Sequence, residues 1–94
     1  MRITWRQVAV DGLEAARRQI AADNPSAADR VFERILSAVS RLSDMPHLGR
    51  AGRVPGTREL VVAGTPFIVA YTASEKEVSI VAVIHGARRW PAAF

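Results

Sequence analysis

Apolar residues along the chain switch between two periods. From Gln7 to Asp23, Ala9, Leu13, Ala16 and Ile20 recur at four-, three- and four-residue steps, lining one face of a helix. Gly12 interrupts that helix at a cost of about 1 kcal/mol relative to alanine. Asn24-Pro25 ends the first helix, because the residue before a proline is pushed out of the helical region. The same pair opens a second helix, with Asn24 as its N-cap and Pro25 at the first position, where a missing N–H costs nothing. Ala28, Phe32, Ile35, Val39 and Leu42 then form a second apolar seam, which Pro46 closes. So short a connection predicts an antiparallel helical hairpin.

The period then drops to that of strands. A short β-prone opening, Ile3 to Trp5, precedes the hairpin, and three strands follow it: Arg58 to Val62, Phe67 to Ala73 and Val78 to His85. Ala63-Gly64-Thr65-Pro66 and Ser74-Glu75-Lys76-Glu77 are hairpin-length turns, so these three strands are expected as an antiparallel meander. Between hairpin and meander, Pro46 to Thr57 is rich in Gly, Pro, His and Arg and reads as an ordered loop. The prediction is an α+β fold in a single domain spanning residues 1–94. The strands are rich in Val and Ile with little polar alternation, so both sheet faces should be apolar. The helices can cover one; the other needs a partner or a terminal segment.

Composition narrows the function. A chain of 94 residues hides only roughly 60–65% of its unfolded surface, which makes a stabilising partner plausible. Absence of cysteine excludes disulfides and thiolate metal sites, and two isolated histidines, His47 and His85, argue against zinc. No cofactor is expected. The first charges at the N-terminus are not followed by a hydrophobic stretch, and the apolar runs are strand-sized, so a cytoplasmic protein with no membrane contact is expected. The net charge is +4, with 13 Lys and Arg against 9 Asp and Glu. All but Lys76 of the basic residues are arginine, which suits bidentate contact with carboxylate or phosphate, although a GC-rich genome yields the same bias.

Candidate chemistry lies at two places. Arg50, Arg53 and Arg58 sit in or beside the loop, whereas His85, Arg88, Arg89 and Trp90 leave the last strand. If the two ends meet, they form one positive patch for an acidic target or a phosphate backbone. The bland reading is a set of solvated arginines, some paired to Glu59 or Glu77. Support for catalysis is thin: His47, His85 and Tyr71 are the available proton carriers, and no nucleophile–base arrangement or phosphate-cradling glycine loop can be assembled. No catalytic residue is assigned. Trp90 and Phe94 are too large to leave wholly exposed, so they pack back on the sheet or belong to a partner surface.

Taken in order, Asn24-Pro25 with Ala27-Ala28, Pro46-His47-Leu48-Gly49-Arg50, Gly52-Arg53, Gly56 to Val62, Pro66 to Tyr71 and Val83 to Arg88 resemble the RelE/ParE toxins across nearly the whole chain. The resemblance implies a short strand, a helical hairpin and an antiparallel sheet, together with an antitoxin that folds over the toxin. RelE-like members cleave messenger RNA on the ribosome; ParE-like members poison DNA gyrase. By that resemblance Ile68 stands where RNA-cleaving members carry arginine, Glu59 and Val61 where RelE has lysines, and Phe94 where RelE has a catalytic tyrosine. Arg88 matches a functional RelE arginine. A carboxylate at Glu59 beside a phosphodiester would repel it. The pattern favours a protein-binding gyrase inhibitor, with target contacts at Arg53, Arg58, His85, Arg88, Arg89 and Trp90, over a RelE-type endonuclease. Direct nucleic-acid contact is the less favoured alternative.

Overall fold

A computed structural model describes residues 1–94. Strand β1, Arg2–Trp5, leads into helix α1, Gln7–Asp23, and helix α2, Pro25–Ser40. A 3-10 turn, Arg41–Ser43, extends α2 toward Pro46. Four strands follow: β2, Arg50–Ala51; β3, Arg58–Val61; β4, Phe67–Ala73; and β5, Glu77–His85. They form a five-stranded sheet in the order β1-β5-β4-β3-β2. The α+β class holds, and the meander is antiparallel as expected. Two additions enlarge it: β1 joins β5 in parallel, and the loop contributes β2, paired antiparallel with β3. The sheet is therefore mixed. No helix is long and apolar enough to cross a membrane.

The hairpin turns where the sequence places it. The Asn24 side chain accepts a hydrogen bond from the Ala27 backbone N–H at 3.1 Å, satisfying one of the open donors at the start of α2. Arg17 of α1 ties the helices together, pairing with Asp29 at 2.9 Å and lying over the Phe32 ring at 4.6 Å. That arginine covers Phe32, which is consequently half-buried while its seam neighbours Ala28, Ile35 and Val39 are fully buried. Gly12 is not merely a weak point of α1. A Cβ there would meet the Val83 carbonyl oxygen at 3.1 Å, so glycine lets the helix backbone settle directly on β5.

Both sheet faces are apolar, and they carry separate cores. On the helix side Leu60, Val62, Val69, Tyr71, Val78, Ile80 and Val83 pack with Ala9, Leu13, Ile35, Val39 and Leu42. On the far side Ala70, Val81 and Ala82 form a small cluster with Ile84 and Trp90. A bulge makes the second cluster possible. Ala70 pairs with Ala82 and Tyr71 with Ile80, leaving Val81 as the extra residue, so Val81 and Ala82 both reach the far face. Strict alternation would have sent one of them inward. The far face thus receives a terminal segment, one of the two covers its composition required.

Candidate functional site

The loop before β3 is tied down from below by Tyr71. This side chain is fully buried in β4. Its hydroxyl accepts a hydrogen bond from the Gly49 N–H at 2.8 Å and donates one to the Pro46 carbonyl at 2.9 Å. Gly49 is needed for the approach, since a Cβ would lie 2.8 Å from the tyrosine ring and 2.9 Å from the Glu59 carbonyl oxygen. Arg58 completes the tether by donating from Nη1 to the carbonyls of Gly49, at 2.9 Å, and His47, at 3.5 Å. Beyond β2 the loop closes on itself: the Gly52 N–H donates to the Thr57 carbonyl at 2.8 Å, and the Thr57 hydroxyl donates to the Val54 carbonyl at 2.6 Å.

The tethered loop carries a layered ionic and aromatic stack. Glu59 points from β3 to the far face of the sheet and is only 3% exposed. Its carboxylate accepts hydrogen bonds from the Arg53 backbone N–H at 2.7 Å, Arg53 Nε at 3.2 Å, Arg53 Nη2 at 3.4 Å and Arg50 Nη2 at 3.3 Å. Burial pushes its pKa up, but these donors, with the positive charge of Arg53, outweigh burial and hold it below its ordinary value. The Arg53 guanidinium lies 3.8 Å from the centroid of the Trp90 ring, within cation–π range. Phe94 meets Trp90 edge to face at 6.4 Å. Carboxylate, guanidinium and indole therefore form three successive layers over Ala70, Val81 and Ala82.

The anticipated patch is brought together only in part. Arg53 and Trp90 meet, with Arg50 beside them. Arg89 is exposed and makes no hydrogen bond or ion pair. Arg58 is turned back into the loop by its two carbonyl partners. Arg88 leaves in another direction, donating from Nη2 to the Gln19 side chain of α1 at 2.8 Å. His85 keeps it company: its ring meets Phe67 edge to face at 5.6 Å, and its Nδ1 accepts the Ala87 N–H at 3.1 Å. His85 and Arg88, with Gln19, Ile20, Asp23 and Phe67, line a cavity of about 510 Å³ between the end of α1 and the sheet. Two surfaces result: a stacked one on the far face and a groove beside the helical hairpin.

Glu59 requires a correction. Read as an exposed carboxylate, it would repel a phosphodiester. Buried beneath two arginines, it leaves that part of the surface with a net positive charge. Its place on β3 did not reveal this: Val61 shares the far face of the strand and stays 51% exposed, whereas Glu59 is buried because Arg50 and Arg53 close over it.

The chain matches the family model of the ParE toxin of the type II toxin–antitoxin system parDE over residues 3–90. It belongs to that family. It is 42% identical over 90 residues to the candidate toxin Y4kP of Sinorhizobium fredii, covering 96% of this chain and 93% of the relative. Toxin RelE2 of Caulobacter vibrioides is 36% identical over 85 residues, covering 90% of this chain and 92% of that protein. Among solved structures, a chain of the chromosomal ParDE TA system from P. aeruginosa superposes with a TM-score of 0.82 at 25% identity, covering 90% and 95% of the two chains.

Proposed function

We propose that this toxin acts in the cytoplasm by binding DNA gyrase and is neutralised by a cognate antitoxin. One observation carries the mode of action. Of the positions that hold chemistry in RNA-cleaving relatives, Val61, Ile68 and Phe94 here neither move a proton nor carry charge, Glu59 has the opposite charge, and Arg88 alone keeps its residue type. Glu59, the carboxylate beside them on β3, is locked by four hydrogen bonds and is not a free base. What the face offers is a stack of arginine and tryptophan, the residue types that most often dominate protein interfaces. Arg53, Trp90 and Arg89 are proposed as its target contacts, with Arg58 tethering the loop that presents Arg53, and His85 with Arg88 as contacts at the groove.

The antitoxin reading draws on the opposite side. The groove beside α1 has an apolar base of Ile20 and Phe67 and a polar rim of Asp23, His85 and Arg88, which suits an amphipathic segment. Val8 and Leu36, on the two helices, are further apolar residues left exposed. RelE-type cleavage of messenger RNA is the second reading, favoured by the similarity to RelE2 and by the positive charge over Glu59.

Purified components separate the two. Gyrase supercoiling should be inhibited by the chain, and ribosome-bound messages should stay intact. Rapid cleavage of those messages with supercoiling untouched would overturn the gyrase reading. The product of the adjacent gene should relieve inhibition and raise the melting temperature. At a hundredfold excess over Kd such binding stabilises by about 2.7 kcal/mol.

A further inference from the structure

The segment after β5 has little to hold it. Its backbone makes three hydrogen bonds, Gly86 N–H to the Pro66 carbonyl, Ala87 N–H to His85 Nδ1 and Arg88 N–H to the His85 carbonyl, and none beyond Arg88. Trp90 is not anchored by its own polar atom either, because its indole N–H is buried without an acceptor. A tryptophan normally gains orientation from that bond. Here the ring is placed by its apolar floor, Ala70, Val81 and Ala82, and by the Arg53 guanidinium stacked on it. Arg53 is itself on an irregular loop, and its backbone N–H and its guanidinium both end on one carboxylate. Only Glu59 in this chain of contacts is fixed by a strand, paired with Arg50 on one side and Ala70 on the other.

We propose that Glu59 is the positioning residue of the target-binding surface: it fixes Arg53, and through Arg53 it holds Trp90 in the orientation the target meets. The inference rests on the reading of that face as the target surface. It gives the buried carboxylate a role distinct from contact, since at 3% exposure Glu59 itself cannot touch a partner. A neutral amide in its place keeps the shape and one acceptor oxygen, but presents an N–H₂ to donors that already fill the site. Arg53 would then lose its paired geometry, and the Trp90 ring its cover.

The chain has two tryptophans, so Trp5→Phe leaves Trp90 as the sole indole reporter. In that background Glu59→Gln should make Trp90 fluorescence more accessible to acrylamide and weaken gyrase inhibition on the order of tenfold, equivalent to about 1.4 kcal/mol of binding. Affinity for the antitoxin should be unchanged, which a general loss of structure would not allow. Glu59→Asp keeps the charge but withdraws the carboxylate from Arg53, and should reproduce both effects; if Glu59→Gln does not fold, this variant decides. Unaltered quenching and inhibition in the folded variants would overturn the positioning role. Arg53→Ala and Trp90→Ala serve as the separate control. If these two retain full inhibition, the surface is not the target surface and the functional reading fails with it. If they lose inhibition and Glu59→Gln does not, only the role of Glu59 is refuted.

Discussion

Tyr71→Phe isolates what a single hydroxyl contributes to the loop that carries Arg50 and Arg53. The ring remains, and with it the packing of a fully buried side chain in β4. Two hydrogen bonds disappear, from the Gly49 N–H at 2.8 Å and to the Pro46 carbonyl at 2.9 Å. Each neutral bond contributes about 1 kcal/mol net, and a buried donor left without an acceptor costs about 1–3 kcal/mol more. Gly49 is buried, so its N–H bears that penalty; Pro46 is half-exposed and water can reach its carbonyl. The expected loss is about 3–5 kcal/mol. For a domain of this size it corresponds to a fall in melting temperature of about 12–40 °C. Urea denaturation with an unchanged m-value would measure it, because the change leaves the exposed area of the unfolded chain almost the same. Hydrogen exchange adds a local readout: the Gly49 amide, protected in the parent, should exchange faster in the variant while amides in β5 keep their order. A loss below about 0.5 kcal/mol, within the range of ordinary surface substitutions, would refute the reasoning. It would mean that water or a shifted loop replaces both bonds without cost.

Two further predictions test the packing and the ion cluster. Gly12→Val forces branched carbons against the Val83 carbonyl, which even a Cβ would approach to 3.1 Å, and should cost about 1–3 kcal/mol by overpacking, read by thermal melts. Glu59 has a folded pKa held below its ordinary value of 4.5, so its stabilisation is present above that pH and is lost as pH falls through the lowered folded value. The stability gap between the parent and Glu59→Gln should accordingly be open at pH 7 and close under acid conditions below pH 4.5; a gap independent of pH would show that the charge of Glu59 is not what stabilises the cluster.

Local chemistry by itself determined the elements of this protein. A cap followed by proline at Asn24-Pro25, apolar seams of helical period and hairpin-length turns each act over a few residues, so the two helices and the three meander strands were legible along the chain. Two residues of the proposed target surface were visible as candidates too, because Arg53 and Trp90 are conspicuous in a loop and a tail. What the sequence left open was long-range. The parallel pairing of β1 with β5 joins residues more than seventy positions apart, and no local signal encodes it. The bulge at Val81 gave the far face its second apolar layer, and that layer is where the tail settles. Only that settling decided which arginines meet: Arg53 with Trp90 on one face, Arg88 with Gln19 on the other, Arg58 turned inward. Glu59 shows the physical reason most directly. Its charge is visible in the sequence, but whether it repels a ligand or organises its neighbours depends on its being buried and paired, which is a property of distant segments brought together in the fold.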